Sequence, residues 1–289
     1  MNVLSWIYAA RPKTLVASMV PVISGTLIIP NINMFKLDIF LFTIIAAIII
    51  QIVTNYINDL HDFLKGADKD RVGPIRMIQS GMISQFKIKQ AISILIIIGI
   101  LCGIPLAIQG GWPIIIIGLS SFLFAYLYTA GPYPLAYHGM GDIFVFIYFG
   151  IIAVGGTYYL QTGFIDENAI YLGIAIGANN IILLAINNLR DYQTDQNANK
   201  KTLIVLFGEK FGRIEIVSML LLSYISFFLL SKTLNNYNLF YSITLSIPLA
   251  LNIIYDIYNL LGEKLNNTLP KIASLLILQC ILLGIAIYI

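Results

Sequence analysis

Between Lys89 and Asp142 the chain carries no charged side chain. That run is far too long for one membrane-spanning helix, which needs about 20 apolar residues. Its one interruption is Gln109-Gly110-Gly111-Trp112-Pro113, where glycine and proline break a helix. Two spans, 90–109 and 113–131, are expected from this stretch alone. Seven more apolar runs follow the same rule, at 14–31, 38–58, 142–162, 168–188, 213–231, 238–259 and 270–289. The expected fold is an all-α polytopic membrane protein with about nine transmembrane helices. Composition agrees, since 58% of residues are hydrophobic and 11% charged. A soluble domain averages about 25% charged, and a disordered chain is richer still in charge. The two cysteines, Cys102 and Cys280, sit inside apolar runs, which excludes a disulfide scaffold. A net charge of +3 is too small to point to nucleic acid.

Lys and Arg mark the cytoplasmic side of a membrane protein. With nine spans, all of these residues except Lys36 and Lys232 fall on one side. The N-terminus is therefore expected inside and the C-terminus outside. The long loops, about 59–89 and 189–212, share the inner side, so the working site is expected there.

Most of the acids sit there too. Asn58-Asp59-Leu60-His61-Asp62 closes the second span, and Asn187-Asn188-Leu189-Arg190-Asp191 closes the sixth. The match suggests one domain over 1–289 built as an internal repeat, with halves of about 1–131 and 132–289. In such folds the site often lies between the repeats, so both helix ends are expected to face one central cavity. Asn58 and Asp62 are four residues apart, as are Asn187, Asp191 and, if the helix continues, Asp195. That spacing puts each set on one helix face. Packed carboxylates repel one another and resist desolvation. A hard divalent cation such as Mg²⁺ relieves both, and it typically takes one or two carboxylates together with substrate phosphates. The expected metal ligands are Asn58, Asp62, Asp191 and Asp195, serving a Mg²⁺–diphosphate site. There is no His/Cys cluster, P-loop, Gly-x-Ser-x-Gly or Gly-x-Gly-x-x-Gly to support other chemistry.

At these residues the chain resembles the UbiA superfamily of intramembrane prenyltransferases. Asn58-Asp59-x-x-Asp62 resembles that family's first aspartate-rich motif, and Asp191-Tyr192-Gln193-Thr194-Asp195 its second. Residues 10–15, 58–76, 128–141 and 187–203 resemble the branch that acts on 1,4-dihydroxy-2-naphthoate. One departure is Gly66, which stands where the family often has a third Asp, with Asp68 two residues later.

The resemblance implies helices ringed around a central cavity that is open to the cytoplasm and to the lipid bilayer. It also implies transfer of a polyprenyl group from polyprenyl diphosphate to 1,4-dihydroxy-2-naphthoate, with loss of CO₂. Asp59, Asp62, Asp191 and Asp195 would carry the catalysis. Lys65, Arg71 and Lys201 are expected at the diphosphate, with Asn187 and Asn188 supporting, and Arg11 and Lys13 at the acceptor carboxylate. Tyr128, Tyr133 and His138, in an uncharged and aromatic inner loop, are expected around the acceptor. The rival readings are another acceptor, such as 4-hydroxybenzoate, and a secondary transporter, whose ionisable residues would spread through the midplane rather than gather at the inner rim.

Overall fold

The computed structural model describes residues 3–67 and 72–288. Arg71, with Asp68 and Asp70, lies outside the described residues. Helices α1 (Val3–Ala10) and α2 (Pro12–Leu27) meet at Arg11, and Pro12 presets the first turn of α2. Helix α3 spans Leu37–Leu64 and α4 spans Gln85–Leu127. The hydroxyl of Ser84 starts α4 by accepting a bond from the Lys87 amide at 3.4 Å. Helix α4 is two helices in series, because Gly111 takes φ 65° and ψ −153°, a conformation open mainly to glycine. This is the break expected from the Gln109–Pro113 cluster.

Helix α5 (Gly141–Thr162) contains a π-helical stretch, Phe146–Ile152. Helix α6 (Glu167–Arg190) begins at Asp166, whose carboxylate accepts the Ala169 amide and the Tyr158 hydroxyl. Two short helices follow, α7 (Tyr192–Asn197) and α8 (Leu203–Phe207). The chain then runs through α9 (Glu209–Thr233), α10 (Tyr237–Thr244), α11 (Ile247–Asn259) and α12 (Leu269–Tyr288).

Helices stand at all nine expected places, although the first ends at Leu27 rather than near 31. Among the described residues, six are long and apolar enough to cross a membrane, and the α10–α11 pair, bent by 43°, makes a seventh. Reaching nine requires counting α4 as two spans and the 16-residue α2 as a short one. The protein is a multi-pass helical membrane protein.

Helix α6 is the axis of the packing. It is buried along most of its length and rests against α9 and the π turn of α5. Small residues allow this approach, as they do in other membrane helix pairs. A Cβ on Gly150 would stand 2.5 Å from the Gly173 carbonyl oxygen and 2.6 Å from the Gly177 Cα. Helix α2 packs on α3, α5 and α12 and draws them together. Helix α4 buries few of its side chains and turns its isoleucines and leucines outward, as a lipid-facing helix does. Helices α2, α3, both halves of α4, α5 and α6 enclose a cavity of about 920 Å³.

Candidate active site

The cavity is largely apolar, with a polar end formed where α3 and α6 terminate. Asn58, Asp59 and Asp62 reach it from α3, and Asn187, Asn188, Arg190 and Asp191 from α6. Both acidic motifs therefore face one cavity, as their repeat predicts. Helix α6 does not continue through the second motif. It breaks at Asp191 (φ −90°, ψ 9°), and α7 starts anew. The four-residue spacing survives the break. The Asp191 amide bonds the Asn187 carbonyl at 3.0 Å, and the Asp195 amide bonds the Asp191 carbonyl at 2.7 Å.

Each motif acid is held in its own way. Asp62 accepts the Tyr137 hydroxyl at 2.9 Å and pairs with Arg76 at 3.5 Å. The carboxylate of Asp191 takes both arms of Arg190, at 2.7 and 2.6 Å, and the guanidinium is steadied in turn by Asn266 at 3.0 Å. Such a two-point fork fixes the plane of the carboxylate. Asp195 does not itself line the cavity, but it pairs with Lys200 at 3.3 Å, which does. Burial, partly offset by Lys200, pushes the Asp195 carboxyl up to about 6, and the charges of Asp191 and Asp62 act in the same direction. The acids of the two motifs thus lie within electrostatic reach of one another. The carboxylate of Asp59 accepts the Met77 amide at 3.2 Å. With the Arg76–Asp62 pair, this pins the 72–84 loop over the end of α3. The side-chain oxygen of Asn58 accepts the Thr129 hydroxyl at 2.8 Å.

The other expected residues divide between two places. Arg11, Lys13 and Tyr128 line the main cavity. Arg11 also donates to the Asn55 carbonyl at 3.4 Å. Lys65, His138 and Lys201 line a separate polar pocket of about 350 Å³. Tyr133 stacks on His138 with ring centroids 3.6 Å apart and is exposed. The aromatic loop therefore does not deliver all its rings to the acceptor. Tyr137 stands between the two spaces. Its hydroxyl holds Asp62, while its ring underlies the Lys65 ammonium at 4.2 Å and faces that of Lys200 at 6.0 Å. The Tyr137 carbonyl also accepts the Lys201 amide at 3.2 Å.

Tyr137→Phe keeps the ring and removes one bond to a charged group, a change of about 1.5–3 kcal/mol. Its kcat/KM is expected to fall by about ten- to a hundredfold. A value equal to wild type would show that Asp62 needs no help from this hydroxyl.

Sequence reasoning gave no role to Asp142, which lines the cavity, or to the buried pair Gln51 and Asn55. Asn55 bonds the Ala10 carbonyl at 2.9 Å and the Thr14 hydroxyl at 3.0 Å, which places Arg11 and Lys13. The available signal was a polar pair four residues apart inside an otherwise apolar helix.

An apolar membrane cavity with facing acidic motifs and flanking cations suits a substrate that joins a greasy chain to a polyanion. Known proteins agree. The model of the UbiA prenyltransferase family matches residues 18–278, and the chain belongs to that family. It is 35% identical over 234 residues to the 1,4-dihydroxy-2-naphthoate octaprenyltransferase of Haemophilus influenzae, covering 77% of this chain and 76% of that protein. It is 36% identical to the protein of that name from Escherichia coli, covering 71% and 69%. Its fold is that of a UbiA homolog from Archaeoglobus fulgidus, at TM-score 0.71, 16% identity and coverage of 99% and 100%. The same homolog has been solved bound to DMAPP and Mg²⁺, and that structure matches at TM-score 0.71 and 18% identity, covering 98% of each chain. The chain is an enzyme, a prenyltransferase.

Proposed function

We propose that the protein transfers a polyprenyl group from polyprenyl diphosphate to 1,4-dihydroxy-2-naphthoate with loss of CO₂, giving a demethylmenaquinol. The observation that carries this is the meeting of Asp62 and Asp191 across one apolar cavity, in a chain more than one third identical to proteins named for that acceptor.

The donor set fits Mg²⁺. The residues offered at the cavity wall are hard oxygen ligands, the carboxylates of Asp62 and Asp191 and the amides of Asn58 and Asn187, with Asp195 behind them on Lys200. Among the described residues no three His, Cys, Asp or Glu side chains gather around a single point. A cation here would complete its shell with phosphate and water, which suits Mg²⁺ and not a closed zinc site. When bound, Mg²⁺ would neutralise charge on the leaving diphosphate. Arg76 and Lys200, already at the cavity wall, add positive charge at the same end. Lys65 and Lys201 supply further cations in the neighbouring pocket, and Arg71 is assigned to the diphosphate by its place in the motif segment alone. The apolar length of the cavity takes the isoprenoid and excludes water, so the allylic cation meets the ring before it meets a hydroxide. Arg11 and Lys13 hold the acceptor carboxylate, and Tyr128 sits against its ring, with Tyr133 and His138 at the loop outside. Asp59 and Asn188 support the two motifs. The excess of Lys and Arg on the side of both motifs supports a cytoplasmic location for this end of the cavity and for the N-terminus. The similar motif ends of α3 and α6 support two repeated halves.

Mass spectrometry of the products tests the proposal. Purified protein receives Mg²⁺, a polyprenyl diphosphate, and either 1,4-dihydroxy-2-naphthoate or 4-hydroxybenzoate. The expected product is a prenylated, decarboxylated naphthoquinol. Prenylated 4-hydroxybenzoate alone would overturn the acceptor.

A further inference from the structure

Asp142 is the one acid of the main cavity left without a role. It stands in the first turn of α5, where the helix dipole favours an acid. A capping role does not exhaust it. Asp142 is 5% exposed, lines the cavity, and has a buried Oδ1 without a hydrogen-bond partner. Asp62, Asp191 and Asp195 each have a cation, but among the described residues Asp142 makes no ion pair. Tyr128 lies beside it, in the field of Asp142, Asp62 and Asp195. Gly141 leaves room for this ring, since a Cβ there would stand 3.1 Å from the Tyr128 hydroxyl. Glu215 on α9, also with a buried and unpartnered carboxylate oxygen, feels the charge of Asp142.

A buried carboxylate oxygen with no partner is costly to maintain, so a ligand is the natural partner of Oδ1. Its charge decides which part of a ligand it meets. A diphosphate and an acceptor carboxylate are both repelled. A ring hydroxyl is a donor and is attracted. We infer that Asp142 is the catalytic base for a hydroxyarene acceptor, binding the hydroxyl next to the carbon that is prenylated. The inference rests on the proposed reaction but not on the naphthoate ring itself.

The step balances without an added reagent. The allylic C–O bond breaks and its electron pair leaves with the diphosphate. The ring carbon bonds the allylic carbon while the adjacent hydroxyl gives its proton to Asp142, leaving a ketone. The bond to the carboxylate then breaks, CO₂ departs, and that electron pair restores the aromatic ring. Asp142 returns the proton to the oxygen. General-base help of this kind contributes about 10²- to 10⁴-fold.

The test uses Asp142→Asn, which keeps the shape, and Asp142→Glu, which keeps the carboxylate. Two readouts are taken on each: Mg²⁺-dependent binding of an unreactive prenyl thiolodiphosphate, and prenylation of the acceptor. Asp142→Asn is expected to bind the analogue within about twofold of wild type and to lose at least about a hundredfold in prenylation. Asp142→Glu should recover a large part of it. The deficit of Asp142→Asn should shrink with ring-substituted acceptors whose hydroxyl is more acidic. Wild-type prenylation by Asp142→Asn overturns the inference. So does a parallel loss of analogue binding in both variants, which would make Asp142 a folding residue. The wild-type control reports on the acceptor separately. If only 4-hydroxybenzoate is prenylated, the naphthoate reading falls, and Asp142 is judged by the same ratios on that phenol.

Discussion

Asp62→Ala is expected to lower kcat/KM by at least about a thousandfold while the protein remains folded. Removing one element of a preorganised electrostatic site costs about 10²–10³, and Asp62 serves two functions. It offers a carboxylate to the proposed Mg²⁺–diphosphate, and it holds Arg76 and Tyr137 in place. With Asp62 gone, Arg76 loses this anchor but its positive charge is kept, and with it attraction for the diphosphate. The loss should therefore fall mainly on kcat, with prenyl diphosphate binding reduced less. Asp191→Ala should act as strongly, because Arg190 would lose both bonds to its partner. Asp59→Asn should cost less, since the side-chain oxygen of asparagine can still accept the Met77 amide. Steady-state kinetics with Mg²⁺ present decide the matter. Near-full turnover by Asp62→Ala or Asp191→Ala would remove the basis for the metal site.

Gly150→Val is expected to destabilise the protein more than any surface change. The new side chain would enter the backbone of α6 at Gly173 and Gly177, and backbone cannot swing aside as a side chain can. Overpacking of this kind costs about 3 kcal/mol, or roughly 6–12 °C in Tm for a protein of this size class. Because α6 carries Asn187 and Asp191 at its end, displacing it should also lower activity. Gly103→Ala is the control, as nothing lies within 4 Å of the added Cβ. Thermal unfolding in detergent that gives equal Tm for both variants would show that α5 and α6 do not pack as described.

Much of this was legible in the sequence, for identifiable reasons. Uncharged runs give helices because hydrocarbon tolerates little else, and the Gly111 break could be placed because glycine and proline punctuate helices locally. The convergence of Asp62 and Asp191 on one cavity could be read from the matching motifs that close their two helices. Helix α2 was placed four residues too far at its C-terminal end because apolar Ile28 and Ile29 continue the pattern after the helix stops. The division of the basic and aromatic residues between two pockets was not legible. Lys65, His138 and Lys201 lie on three segments joined by loop bonds such as that from the Lys201 amide to Tyr137, and loop pairing leaves no periodic trace. The partners of the acids were hidden for a related reason. Arg76 reaches Asp62 only because the 72–84 loop folds back, and Asn266 reaches Arg190 from the loop between α11 and α12.

The most direct measurement follows the acceptor's carboxylate. Purified protein is given Mg²⁺, a polyprenyl diphosphate and 1,4-dihydroxy-2-naphthoate labelled at the carboxylate carbon. One labelled CO₂ is expected per prenylated naphthoquinol and per diphosphate released, with all three abolished by EDTA and by Asp62→Ala. A prenylated product that keeps the label, or turnover that continues without a divalent cation, would contradict the proposed reaction.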